Sequence, residues 1–143
     1  MSSLHVDQAC EPYIRRKALG HLKKGRIVLL AGGTGRPFFT TDSAAAQFGC
    51  ELGCEVVLKA STIDGVYDGD PKENLRAVKF DKLTFQEALE KGLTVMDPTA
   101  FAICQNKNLP IIVFSASDLN NIGKIISGER IGTIISQSHK TLG

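Results

Sequence analysis

Tryptophan is absent from the 143 residues, tyrosine and methionine occur twice each, and aromatic side chains make up only 6%. That scarcity removes the stacking surfaces a single-stranded nucleic-acid binder uses. The basic groups Arg15-Arg16-Lys17 and Lys23-Lys24 have no aromatic residue between them and read as a solvated helix face. A net charge of +2 is also too small to favour a polyanion or an acidic membrane surface. No apolar run is long enough to cross a bilayer, and no basic-then-apolar leader opens the chain. The expectation is a cytoplasmic protein with neither nucleic-acid nor membrane partners.

Metal-binding spacing is missing too. Cys10, Cys50, Cys54 and Cys104 lack the two-residue gap of a zinc knuckle or redox pair, and His5, His21 and His139 are scattered. No metal site is expected from these residues. The cysteines sit in or beside apolar runs, where a free thiol behaves as a small hydrophobe.

What is present is patterned as a single domain over residues 1–143, long enough to bury a core. Met1 to Cys10 shows no period and reads as a loop or edge strand. Glu11-Pro12 reads as a helix start, with Tyr13, Ile14, Ala18 and Leu22 at helical spacing and Gly25 as its end. Arg26 to Leu30 is a branched apolar run, expected as a strand covered on both faces. Ser43 to Leu52 reads as a helix closed by Gly53, and Val56-Val57-Leu58 as a second buried strand, so a parallel crossover is expected.

Lys79 to Leu83 reads as a brief strand. Thr84 and Glu87 form a capping box opening a helix to Lys91. Asp97 caps another helix, with Pro98 in its first turn, running to about Lys107. Pro110 to Phe114 is a third strong strand. A helix over Leu119 to Ser127, a strand at Thr133-Ile134-Ile135 and a frayed polar tail over 137–143 complete the chain. The fold class is α/β, a mainly parallel sheet with helices on both faces.

Two stretches carry the chemistry. In Gly32-Gly33-Thr34-Gly35-Arg36-Pro37-Phe38-Phe39-Thr40-Thr41-Asp42, glycines precede hydroxyls and a carboxylate at a helix start. A strand, a glycine turn and a helix N-terminus together hold anions, because free N–H groups and the helix dipole point at them. An ordinary strand-to-helix connection also favours Gly, Thr and Asp, but Phe38-Phe39 between a polar turn and a polar cap is unusual for one. The second stretch, Ser61 to Pro71, is rich in Asp-Gly turn signals and follows a strand. It would leave the carboxyl end of a parallel sheet, where ligands sit.

These motifs, with Val57-Leu58-Lys59-Ala60-Ser61, Val95-Met96-Asp97 and Gly132-Thr133-Ile134-Ile135, resemble the bacterial UMP kinases of the amino acid kinase family. The resemblance spans nearly the whole chain. It implies phosphoryl transfer from ATP, with Mg²⁺, to UMP, a homohexamer, and GTP and UTP as effectors. It also implies that Thr34, Gly35, Arg36, Pro37, Phe38, Phe39, Thr40 and Thr41 contact UMP, and that Ser61, Tyr67 and Asp70 contact ATP. Asp42 would be the catalytic carboxylate, orienting a lysine or the metal.

Other positions stay open. Lys59 is either a phosphate contact or a solvated strand-end lysine. Asp97 matches a position tied to regulation or the active-site rim, although its cap role alone would explain it. Arg36 stands where many relatives have Asn, and Ser61 where Thr is commoner. The amino-terminal Lys-x-Ser-Gly-Glu and Gly-Gly-Gly-Asn motifs of full-length relatives do not occur here. The chain therefore reads as the carboxyl-terminal, ATP-side portion, with turnover by this chain alone not expected. The alternatives are a non-catalytic nucleotide-binding or assembly fragment, and a relative with another acceptor.

Overall fold

The computed structural model describes residues 1–6 and 8–138. A mixed sheet of four strands has the order β1 (Val57–Ser61), β5 (Ile111–Ser115), β6 (Thr133–Ser136) and β4 (Lys82–Thr84). β1 pairs parallel with β5 and β4 parallel with β6, while β5 and β6 are antiparallel. A separate two-stranded ribbon joins β2 (Val66–Tyr67) to β3 (Lys79–Phe80). The run expected as one strand over Lys79 to Leu83 is thus two, broken at Asp81 where the chain passes from ribbon to sheet.

β5 is one of the two inner strands of the sheet, and its apolar run follows from that position. Ile111, Ile112, Val113 and Phe114 are all buried. Ile111 and Val113 join the main core with α2 (Thr41–Leu52), α3 (Phe85–Glu90) and α4 (Pro98–Lys107) through Ala46, Phe85, Ala88, Phe101 and Cys104. Phe85 meets Phe101 edge-on with ring centroids 5.3 Å apart, a favoured aromatic geometry. The opposite face carries α5 (Asn120–Ile126), which buries none of its residues. Between it and the sheet lies a groove lined by Leu58, Ile112, Ile125 and Ile134. Helices therefore lie on both faces, with very unequal burial.

The helix ends follow their local chemistry. Thr84 and Glu87 make the reciprocal capping box, and Asp97 caps α4 with Pro98 in the first turn. α2 starts two residues before the expected Ser43, because the Thr40 hydroxyl accepts the Ser43 N–H.

The amino-terminal third differs most from expectation. Glu11-Pro12 does not start a helix; α1 spans Arg15–Leu22 with Ile14 at its cap and no side-chain cap bond. Tyr13 N–H instead donates to the Ser2 carbonyl at 2.7 Å, which holds this segment extended beside Ser2. Arg26 to Leu30 is not a doubly covered strand. Ile27 and Leu29 are 90% and 79% exposed; Met1 to Ser3 runs alongside Leu29 to Ala31, and Arg26 turns back to His21. A run of branched residues reports a taste for burial. It supplies no partner, and among the described residues the run belongs to neither sheet, with Val28 and Leu30 only half-buried. The expected crossover accordingly runs from β1 to β5 rather than from Arg26–Leu30 to β1. Of the tail expected over 137–143, residues 139–143 lie outside the described residues.

Thiol environments diverge in a testable way. Cys104 is fully buried and its pKa is pushed up to about 11 by burial, whereas Cys54 is exposed, contrary to its expected apolar setting. Because the thiolate is the reacting form, a maleimide should label Cys54 at least about 100-fold faster than Cys104 at pH 7.5. Mass spectrometry of timed digests checks this; equal rates would contradict the buried placement of Cys104.

Candidate nucleotide-binding site

β1 and β5 run parallel and end side by side at Ser61 and Ser115. Their carboxyl ends open into a cavity of about 620 Å³. From β1 come Lys59 and Ser61, and from the following loop Tyr67 and Asp70; Asp42 comes from α2 and Asp97 from the cap of α4. The carboxyl end of parallel strands is the place an α/β sheet holds ligands.

Asp42 lies in the first turn of α2, where the positive end of the helix dipole favours a carboxylate. Lys59 Nζ donates to Asp42 Oδ2, and both side chains are about three-quarters buried. The lysine is therefore not a loose strand-end residue. Its ammonium is held at the cavity wall with its charge partly offset by Asp42.

The loop after β1 is fastened by its own carboxylates. Tyr67 Oη donates to Asp64 Oδ1 at 2.6 Å, and Lys79 Nζ approaches Asp64 Oδ2 at 3.1 Å. The Tyr67 hydrogen bond holds the Asp64 carboxyl below its ordinary value, with Lys79 adding to it against burial. The same contact pushes the Tyr67 phenol up. Asp70 accepts the Lys72 N–H at 2.9 Å, which bends the loop back. Asp64 and Asp70 thus serve as turn residues, and the turns deliver Tyr67 and Asp70 to the cavity.

Asp97 joins two helix starts. One oxygen accepts the N–H groups of Thr99 and Ala100 at 2.9 and 3.0 Å, capping α4. The carboxylate also accepts the hydroxyls of Thr40 and Ser43, the latter at 3.1 Å. Thr40 caps α2, so one carboxylate ties the N-termini of α2 and α4 together. Burial pushes Asp97 up, but the hydrogen bonds from Thr40, Ala100, Ser43 and Thr99 outweigh it and hold the carboxyl below its ordinary value.

The residues expected to contact the acceptor stand apart. None of Thr34, Gly35, Arg36, Pro37, Phe38, Phe39, Thr40 and Thr41 lines the cavity. Phe38 is fully exposed with a positive φ of 69°, and Phe39 is 53% exposed. Neither ring is buried against the described residues. The loop is shaped locally instead: the Thr34 hydroxyl accepts the Arg36 N–H at 3.2 Å, and Ser3 Oγ donates to the Gly33 carbonyl at 2.8 Å. Sequence reasoning missed Ser43, buried among alanines, and Thr133, whose hydroxyl is described below. It also missed Val113, which reaches the cavity only because β5 lies beside β1. A small polar residue inside an apolar helical or strand pattern was the one available signal for Ser43 and Thr133.

The profile of the amino acid kinase family matches residues 3–115. The chain belongs to this family. It is 53% identical over 134 residues to the chloroplastic uridylate kinase PUMPKIN of Arabidopsis thaliana, covering 94% of this chain and 40% of that protein. Among solved structures it is similar to the UMP kinase of Bacillus anthracis, with 35% identity and a TM-score of 0.92 over 99% of this chain and 59% of the other. The UMP kinase of Ureaplasma parvum gives 34% identity and a TM-score of 0.89, covering 95% of this chain and 58% of that one. The chain thus spans about two fifths of the curated relative and under two thirds of each solved one. The mixed, mostly parallel sheet flanked by helices is the fold of these UMP kinases.

Among the described residues no group of three or more His, Cys, Asp or Glu side chains is placed to hold a metal ion. The carboxylates at the cavity are hard oxygen donors of the kind Mg²⁺ takes, and this ion is commonly held by one or two of them together with phosphates and water. Asp97 is spent on its hydrogen bonds, whereas Asp42 gives Lys59 only one oxygen. Asp42 and Asp70 are the fitting pair, each keeping an oxygen without a hydrogen bond among the described residues.

Proposed function

We propose that this chain supplies the ATP side and one acceptor loop of a uridylate kinase, which moves the γ-phosphoryl group of ATP to UMP to give UDP in pyrimidine nucleotide synthesis. The observation that carries this reading is the cavity that gathers Lys59, Asp42, Ser61, Tyr67 and Asp70 at the ends of two parallel strands. Phosphoryl transfer asks little covalent chemistry of a protein; it depends on positioning and on stabilising spread negative charge.

In this reading the Lys59 ammonium faces the phosphates, and Asp42 orients it. Tyr67 presents its ring to adenine, while Ser61 and Asp70 meet the rest of ATP. Mg²⁺, held by Asp42 and Asp70, would neutralise charge on the phosphate oxygens. Thr34, Thr41 and the glycine-turn amides meet the UMP phosphate, and exposed Arg36 can reach toward it. The hydroxyl hydrogen of Thr40 is already given to Asp97, so its role is to hold the loop rather than to bind phosphate. The homohexamer and the GTP and UTP effects rest on the resemblance alone. So does the cytoplasmic location, beside a relative that is chloroplastic. No helix among the described residues is long and apolar enough to cross a membrane.

One observation favours a second reading, a nucleotide-binding module without turnover. Lys59 is the one cation among the described residues lining the cavity, and Asp42 already offsets it. Calorimetry with ATP·Mg²⁺, combined with coupled ADP-release assays using UMP, CMP and glutamate, separates the readings. UMP-dependent ADP release supports the kinase reading; ATP binding without release supports the module. Transfer to glutamate but not to UMP would overturn the acceptor assignment.

A further inference from the structure

The loop that carries Tyr67 contributes only a two-residue strand, Val66–Tyr67, beside its own turn contacts. One buried hydroxyl bridges that strand to the sheet. Thr133, the first residue of β6, is fully buried, and its Oγ1 accepts the Val66 N–H at 2.8 Å while donating to the Phe80 carbonyl. Val66 and Phe80 are themselves partners across the β2–β3 ribbon, so a single hydroxyl spans both strands at one register position. Thr133 also stands opposite Val113, which lines the cavity. The β3 side has a second tie, since Ile134 N–H donates to the Asp81 carbonyl at 3.0 Å. The β2 side is held by Thr133, by its pairing with β3 and by the Val66 side chain in the core.

Gly65 shows how closely the loop is drawn in. A Cβ there would lie 2.6 Å from Thr133 Oγ1 and 2.9 Å from Lys79 Cδ, so any side chain would push the loop off its anchor. On the outer side the Tyr67–Asp64 bond closes the turn. Val66 is 6% exposed and joins the core, and Val66 and Tyr67 both line the cavity, so the seat of this strand shapes the cavity wall directly.

We propose that Thr133 is a positioning residue for purine recognition: its hydroxyl sets the depth of the Val66–Tyr67 strand and thereby the plane on which an adenine base stacks. This rests on the reading of the cavity as an ATP site. A buried hydroxyl with both bonds made is a rigid fixture, and replacing it with a methyl group leaves a donor and an acceptor unpaired.

The test compares the 143-residue wild type with T133V, T133S and G65A, using calorimetry with ATP and with inorganic tripolyphosphate, and amide exchange at Val66. In T133V, ATP affinity should fall about tenfold while tripolyphosphate affinity stays within about twofold, because the base contact is lost and the phosphate contacts are not. Val66 exchange should quicken. T133S keeps the hydroxyl and should restore both. G65A leaves the hydroxyl in place but crowds it, and should reproduce the purine-dependent loss if T133V fails to fold. T133V or G65A binding ATP as the wild type does, or losing ATP and tripolyphosphate equally, would overturn the inference. A wild type that binds tripolyphosphate but gains nothing from the base would overturn it together with the ATP-site reading. Wild-type purine preference that T133V keeps overturns the inference alone.

Discussion

Gly132→Ala should remove most of the chain's stability, at least about 4 kcal/mol, a loss comparable to the whole margin of a small domain. Gly132 has a φ of +80°, and a Cβ built there would lie 2.0 Å from the Val113 carbonyl oxygen and 3.1 Å from Phe114 Cβ. Neither neighbour can yield. The carbonyl belongs to the inner strand β5, and Phe114 is 1% exposed. The methyl group would have to separate β6 from β5 just where Thr133 pairs with Val113. Gly128 is the control, with a φ of +93° and nothing within 4 Å of its built Cβ. Gly128→Ala should cost only about 1 kcal/mol, the price of the backbone conformation alone. Urea unfolding of both variants measures the difference. Equal costs would show that close approach at Gly132 does not matter.

Asp97→Ala should cost about 2–4 kcal/mol and loosen the loop over residues 34–41. Part is the lost cap of α4, about 1 kcal/mol. The rest comes from Ser43, 2% exposed, whose hydroxyl loses its acceptor inside the protein. Thr40 is freed at the same moment, so amide exchange over residues 34–41 should quicken while that of β5 keeps its order among the protected strands.

Asp97→Asn isolates the charge. The folded carboxyl lies below its ordinary value of 3.8, so the stability it adds is complete at neutral pH and is lost as pH falls through 3.8 toward the folded value. Wild type should exceed D97N at pH 7, and the gap should close below pH 3.8. D97A should stay weaker than wild type even there, since a protonated carboxyl still accepts hydrogen bonds. A D97N gap that is constant from pH 7 to pH 3 would show that the carboxylate's charge contributes nothing.

Much of the candidate site was readable from spacing. Asp97-Pro98 and Thr84 with Glu87 act within one helical turn, and local chemistry of that range survives any tertiary setting. The glycine turn with Thr40, Thr41 and Asp42 did open a helix; Ser61, Tyr67 and Asp70, singled out by the family resemblance rather than by spacing, line one cavity. Arg26 to Leu30 failed for the opposite reason. Its apolar run asked for neighbours on two faces, and pairing partners are not a property of the run itself. Pro12 failed similarly, because the Ser2 carbonyl captured Tyr13 before a helix could start.

The sequence alone determined the fold class, the family resemblance and the two loops that carry polar groups, because each depends on periods and motifs shorter than about a dozen residues. Only the tertiary structure decided which of those groups meet. Lys59 and Asp42 are 17 residues apart, Thr40 and Asp97 57, and Val66 and Thr133 67. Such pairings arise from strand order and helix packing. They turned an undecided lysine into a held cation, a helix cap into a tie between two helices, and the first residue of a closing strand into a hydroxyl bridge to the β2–β3 ribbon.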